Sequence, residues 1–100
     1  MTDEEINRKV AGIEGWRYRN DGQWWQRPGK SAGHDFYVSF LPPPYATDWA
    51  WVGPLILKYR ILLKGHETWW YADCFGAREQ EADTPQRAIC LAVIAAHEGK

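Results

Sequence analysis

Two pairs of adjacent tryptophans constrain the fold of this chain more than any other feature of its sequence. Trp24–Trp25 and Trp69–Trp70 both stand in segments with the composition of β-strands. Neighbouring side chains of a strand point to opposite faces of a sheet, so each pair places one indole on either side. The sheet must therefore be covered on both faces, or indoles remain exposed.

The length of the chain shows that a core could hide these rings. One hundred residues correspond to a single domain, residues 1–100. Folding a chain of this size removes about 11,000 Å² of surface, and seven tryptophans account for at most about 1,750 Å² of it. The case for an exposed tryptophan therefore depends on position rather than number.

Charge and hydropathy exclude several classes of protein. Twelve basic and thirteen acidic side chains leave a formal charge of −1, which is unlike a cationic nucleic-acid arm or an anionic DNA mimic. No apolar run approaches the roughly 20 residues that span a bilayer, and the acidic start at Asp3–Glu5 is unlike a signal peptide. We expect an intracellular protein without a membrane partner.

The first half of the chain predicts a helix followed by three strands. Thr2 and Glu5 have the spacing of a capping box, and Ile6, Val10 and Ile13 form the apolar stripe of the helix that follows. Asp21-Gly22 is a hairpin signal between alternating runs. The strands are expected near 15–19, 23–27 and 34–41.

The second half predicts a helix, a tryptophan-bearing strand and a last helix. Thr47 is the expected N-cap of a helix over 47–60 with a distortion at 53–54, and 61–64 is open between helix and strand. Strands are expected at 67–75 and 79–82. Thr84-Pro85 begins a helix that is apolar all round, which places it between layers or against another protein.

These elements together predict an α+β fold. We expect an antiparallel sheet of three to five strands sandwiched by about three helices, in the order α-β-β-(β)-α-β-(β)-α.

Catalytic chemistry finds little support in the sequence. His34, His66 and His97 lie beside turns or at a helix end, without metal-ligand spacing. Cys74 and Cys90 have apolar neighbours and are interpreted as buried hydrophobic residues. We therefore expect no catalytic residues, no metal and no cofactor.

A basic and aromatic hairpin is the alternative functional surface. Arg17, Arg19, Trp25 and Arg27 combine side chains that contact phosphates with one that stacks on bases. The first thirty residues, however, carry six basic and five acidic side chains. Because a balanced surface binds polyanions poorly, nucleic acid is the second interpretation.

A protein-binding patch is the first interpretation. Trp49 and Trp51 lie about 200° apart on a helix, so a core on one side leaves one ring facing outward. Tryptophan, tyrosine and arginine dominate interface hot spots. The predicted partner-binding residues are Trp49, Trp51, Tyr45, Lys58 and Arg60.

Two motifs carry a resemblance to a family. Pro44-Tyr45-Ala46-Thr47-Asp48 before a helix, and the run from Ala82 to Cys90 at the start of the last helix, resemble the small phage and prophage proteins grouped as the phage ABA-sandwich domain. The resemblance covers residues 44–97 best and implies a sheet between helical layers and a phage origin. It brings no activity and no catalytic residues.

Phage context and small size, rather than a motif, supply the functional hypothesis. We expect a non-catalytic binding protein in the host cytoplasm that occupies a surface of a host protein complex. One concrete version is an anti-CRISPR inhibitor that blocks a CRISPR effector complex.

Overall fold

The computed structural model describes residues 1–18, 24–26, 37–39, 42–74 and 78–98. These residues form three helices and six strands in the order α-β-β-β-α-β-β-β-α. The helices are α1 (Asp3–Ile13), α2 (Trp49–Tyr59) and α3 (Pro85–Glu98). The strands are β1 (Arg17–Tyr18), β2 (Trp24–Gln26), β3 (Tyr37–Ser39), β4 (Ile61–Gly65), β5 (Trp70–Cys74) and β6 (Gln80–Ala82). The α+β class predicted from the sequence is confirmed, and so is the element order, with one further strand, β4, in the segment 61–64 that the sequence left open between helix and strand.

Helix α1 begins at the predicted capping box. The backbone N–H of Glu5 donates to the Thr2 hydroxyl at 3.2 Å, and the Thr2 backbone N–H donates to the Glu5 carboxylate at 3.1 Å. The hydrogen bonds that the Glu5 carboxylate accepts from the Thr2 backbone N–H and from the Thr2 hydroxyl lower the pKa of the Glu5 carboxyl. The buried side of α1 carries Ile6 and Val10, and Gly15, just after the helix, has a φ of 89° that few other residues adopt.

The first sheet has the order β1-β2-β3 and is antiparallel. Arg17 pairs with Trp25 in register, and Trp25 pairs in turn with Val38. The strands predicted over 15–19, 23–27 and 34–41 are confirmed over shorter stretches. The turn predicted at Asp21-Gly22 lies outside the described residues.

The second sheet is also antiparallel, with the order β4-β5-β6. The undecided segment Ile61–Lys64 is strand, and Ile61 pairs with Cys74. Helix α2 ends because Arg60 adopts a left-handed conformation, with φ 54° and ψ 52°. Ile61, Ala72 and Cys74 are buried, whereas Leu62, on the opposite face, is exposed.

Helix α3 lies in the middle of the molecule. It begins as predicted, with the backbone N–H of Arg87 donating to the Thr84 hydroxyl at 3.2 Å and Pro85 as its first residue. It contacts all three strands of the second sheet, and α1 and α2 pack against it. Helix α3 is therefore the element around which the second sheet, α1 and α2 pack. The apolar circumference of α3 is accounted for by this position, and its buried residues are Ala88, Ile89, Cys90, Ala92, Val93 and Ile94.

The start of α2 corrects one prediction. Asp48, not Thr47, is the N-cap, and its carboxylate accepts a hydrogen bond from the Ala50 backbone at 2.9 Å. A turn explains the shift, because the backbone N–H groups of Thr47 and Asp48 both donate to the Pro44 carbonyl. The helix predicted over 47–60 runs from Trp49 to Tyr59 and is continuous across Gly53 and Pro54, where the sequence predicted a distortion.

Candidate protein-binding surface

The two tryptophans of α2 face opposite sides of the helix. Trp49, the first residue after the Asp48 cap, is 47% exposed. Trp51 is partly buried and packs against the core. The outward-facing ring that the sequence predicts is therefore Trp49.

Trp51 belongs to a buried aromatic cluster that anchors the inner side of α2. Its ring lies edge-on to those of Trp16 and Tyr45, with centroid distances of 5.8 and 5.7 Å. The Trp16 indole N–H donates to the Tyr45 hydroxyl at 3.0 Å. Tyr45 is only 4% exposed, and burial raises the pKa of its hydroxyl well above the usual value. Tyr45 and Trp51 therefore pack on the inner side of α2, beneath its outward side.

The two basic residues of the predicted patch lie at the end of α2. The Lys58 ammonium is 2.9 Å from the Glu14 carboxylate, which also accepts a hydrogen bond from the Tyr59 hydroxyl. Burial, with a further contribution from the Glu14 carboxylate, raises the pKa of Tyr59. Arg60 is exposed at the helix end. Lys58 thus ties α2 to α1, and its side chain still remains about half exposed.

An apolar strip occupies the outward side of α2. We call it the α2 face, and its residues are Trp49, Ala50, Gly53, Pro54 and Leu57. Leu57 is 84% exposed, the largest exposed fraction among the large hydrophobic side chains of the described residues. Ala50 precedes Leu57 by seven residues, so the two lie within about 20° of one line along the helix. Residues 50, 53 and 57 have the spacing of a seam at which one helix packs on another.

Gly53 and Pro54 are poor choices for the interior of an isolated helix. Glycine there costs about 0.5–1 kcal/mol relative to alanine, and proline removes a backbone hydrogen bond. A Cβ added to Gly53 would meet nothing within 4 Å, so packing within the described part of the chain does not require glycine. A surface that another backbone approaches closely would require it.

Leu57, Ala50 and Gly53 are absent from the patch predicted from the sequence, because that prediction rests on aromatic and charged residues. A usable signal was present. Val52 and Leu55 are buried on the other side of α2. The seven-residue spacing from Ala50 to Leu57 could therefore have identified a second apolar face.

Comparison with protein families shows which family the chain belongs to. A model of the family described as Bacteriophage P22, NinX matches residues 1–97. The chain belongs to the NinX family. It is thereby a member of a family of small phage proteins, and the phage origin that the sequence resemblance implied is confirmed. Comparisons with curated proteins and with solved structures give no match.

The alternative surface of this NinX-family chain is only partly described. Arg17 is exposed at the start of β1. Trp25 pairs with it through the backbone of β2, and Arg19 and Arg27 lie outside the described residues. The nucleic-acid surface formed by this set therefore stays a prediction.

A second exposed aromatic group lies in the connection between β4 and β5. The rings of His66 and Trp69 stack with centroids 5.4 Å apart and an interplanar angle of 6°. The Trp69 indole N–H donates to the Tyr71 hydroxyl at 2.6 Å, and Trp69 is 41% exposed. These contacts are made within one hairpin, so they account for the positions of all three rings.

The side chains that could bind a metal ion are dispersed among the described residues of the NinX-family chain. Residues 1–18, 24–26, 37–39, 42–74 and 78–98 contain no set of three His, Cys, Asp or Glu side chains placed to hold a metal ion. Cys74 and Cys90 are buried, and burial raises the pKa of the Cys90 thiol to about 12. None of the helices described combines the length and apolar character needed to cross a bilayer.

One cavity of about 280 Å³ opens between α1 and α3. Ile13 and Ile94 line it, and its rim includes Lys9 and Glu98, whose charged atoms are 3.1 Å apart. Because Lys9 and Glu98 pair with each other, they offer a ligand no unpaired charge at the rim. The α2 face is therefore the stronger candidate binding surface.

Proposed function

We propose that this NinX-family protein is a non-catalytic binding protein that occupies a surface of a host protein complex through its α2 face. One observation carries the proposal. Leu57, 84% exposed, and Trp49, 47% exposed, lie on one side of a helix whose other side is anchored in the core. Contiguous exposed apolar side chains mark interaction surfaces, and tryptophan is a frequent anchor residue there.

The charges around the α2 face fit the same role. Asp48 lies at one end of the helix, and Lys58 and Arg60 lie at the other. An apolar centre with a charged, solvated rim is the usual anatomy of a protein interface. A partner therefore desolvates mainly the apolar side chains, while the rim charges orient it.

Affinity purification of the tagged full chain from host cells tests the proposal. We expect a specific host protein to co-purify with the natural chain and to be lost with Leu57→Glu. Leu62→Glu is the matched control, because Leu62 is also an exposed leucine, at 57%, but belongs to strand β4 and not to α2. Equal capture by both variants would contradict the proposal.

The strength of the contact is measured with the purified partner. Trp49→Ala should weaken binding about 30-fold, corresponding to about 2 kcal/mol. Trp51→Ala is unsuitable as a test, because Trp51 packs against Trp16 and Tyr45 and its removal disturbs the fold. Binding that falls steeply with salt would instead indicate a nucleic-acid partner at the Arg17 surface.

A more specific version of the proposal is inhibition of host defence in the cytoplasm, in the manner of an anti-CRISPR protein. The supporting argument is membership in a phage family combined with small size and an exposed docking helix. Stoichiometric addition of the protein should block the activity of a purified CRISPR effector complex. Full activity of the effector at saturating protein would remove this version and leave the binding proposal intact.

We also infer kinship between the NinX family and the phage ABA-sandwich proteins. The inference is supported by the two motifs, at 44–48 and at 82–90. Alignment of the two families with both motifs in register would support it, and an alignment that requires them out of register would contradict it.

A further inference from the structure

We propose that a second copy of the chain covers the α2 face when the host partner is absent, through an antiparallel two-fold pair of α2 helices. The inference deepens the proposed function, because a dimer that covers the α2 face would regulate access to the same surface. Only the competition with a host protein rests on that function. The pairing itself rests on the shape and charge of α2.

The shape of the α2 face is complementary to itself. Its central line has the small Ala50 near the start of the helix and the large Leu57 near the end. In an antiparallel pair with its two-fold axis between residues 53 and 54, Leu57 of each copy lies opposite Ala50 of the other. Each large side chain then fills the space over a small one, as knobs fill holes between paired helices.

The centre of the pair explains Gly53. Gly53 flanks the two-fold axis and lies next to its own symmetry copy. The space around its Cα is open in the single chain, because an added Cβ would meet nothing within 4 Å. Two glycines facing each other let the helix backbones approach closely.

The charges at the ends of α2 also match in this arrangement. Asp48 is at the amino end of the helix, whereas Lys58 and Arg60 are at the carboxyl end. An antiparallel pair sets the acidic end of one copy beside the basic end of the other and opposes the two helix dipoles favourably. A parallel pair would bring like charges together at both ends.

The area available predicts a weak, exchanging dimer. Helix α2 has 11 residues, which corresponds to a length of about 16 Å and a width of about 10 Å. One pair of such helices buries less than the about 1,200–2,000 Å² of a stable interface. Such a pair dissociates readily, which leaves the α2 face accessible to a partner with a larger contact.

Sedimentation of the purified full chain over about 10 μM to about 1 mM, the range of weak affinities, tests the pairing. The natural chain should shift from monomer to dimer within this series. Leu57→Glu should weaken association at least about tenfold, while Leu62→Glu leaves it unchanged. A chain that stays monomeric throughout, or a dimer that tolerates Leu57→Glu, would overturn the proposal.

Cross-linking tests the position of the two-fold axis. In the proposed pair Gly53→Cys places two thiols across the axis, within the Cα separation that a disulfide allows. Oxidation should then produce a linked dimer at least about tenfold faster than Leu62→Cys does, because pairing raises the effective thiol concentration. The native Cys74 and Cys90 are buried and provide the unlinked background. Equal rates for both variants would contradict the geometry.

The outcomes separate this inference from the proposed function. A dimer whose chain captures no host protein supports the pairing and removes the host-binding proposal. Capture of a host protein by a strictly monomeric chain supports the host-binding proposal and removes the pairing. Where both are found, the host protein should convert dimer into one-to-one complex, and a ternary complex with α2 still paired would contradict the competition.

Discussion

Helices α2 and α3 both carry apolar side chains around most of their circumference, but they are covered differently. The second sheet, α1 and α2 all pack against α3, whose buried residues lie around its circumference. The inner side of α2 rests on the aromatic cluster and on α3, whereas Leu57 and Trp49 face solvent. The same sequence character therefore serves the core in α3 and supplies a candidate contact surface in α2.

The largest expected difference between the two helices is in stability. Ile89→Ala in α3, where the side chain is fully buried, should lower the free energy of unfolding by about 2–5 kcal/mol. Leu57→Ala in α2 should change it by less than about 0.5 kcal/mol. Urea denaturation at low protein concentration measures both. Similar losses would mean that Leu57 belongs to the core.

The inner side of α2 provides the second test. Tyr45→Phe removes the hydroxyl that accepts from the Trp16 indole, which leaves a buried donor without this acceptor and should cost about 1–3 kcal/mol. Tyr71→Phe is the control, because its hydrogen bond to Trp69 is exposed. Chemical denaturation should show a clearly smaller loss for the control, and the reverse order would contradict the assignment of Tyr45 as support.

Burial of α3 also predicts a pH dependence. Burial raises the pKa of Cys90 from 9.0 to about 12, so the unfolded thiol ionises first and stability falls as pH rises between these values. The fall from this thiol reaches at most about 1.4 kcal/mol per pH unit. Unfolding free energies across this range should decline less steeply in Cys90→Ala. An unchanged slope would show that other groups, such as the buried tyrosines, control the alkaline transition.

The smallest expected effect is a gain. Gly53→Ala should stabilise the monomer by about 0.5–1 kcal/mol, because the site is helical and the added Cβ meets no atom. The same change should weaken self-association. Gly15→Ala is the control with the opposite sign, since Gly15 has a φ of 89°. Thermal unfolding and sedimentation measure the two consequences, and a destabilised Gly53→Ala would mean that the monomer itself needs glycine there.

Local signals predicted most of the elements. The capping box at Thr2 and Glu5 and the Thr84-Pro85 start of α3 depend on residues three positions apart or fewer, so their hydrogen bonds follow from the sequence. The N-cap of α2 was missed because Thr47 and Asp48 are both good caps. The choice between them depends on the turn that the Pro44 carbonyl closes.

The candidate site was harder to predict than the elements. The sequence indicated that one of Trp49 and Trp51 would face outward, but it placed Tyr45 in the patch although Tyr45 is buried. The predicted patch also lacked Leu57. An exposed leucine and a buried tyrosine both contradict average preferences, and only the packing of Trp16 and Trp51 against Tyr45 decides this arrangement.

The sequence by itself determined the α+β class, the order of most elements, the caps of α1 and α3 and the apolar character of α2 and α3. These properties follow from side-chain periodicity and from hydrogen bonds between near neighbours. Only the tertiary structure decided that α3 is covered on both sides and that α2 is covered on one. A helix face is buried by elements that are distant in the sequence. Helical periodicity carries no information about which of two apolar faces such an element will pack against.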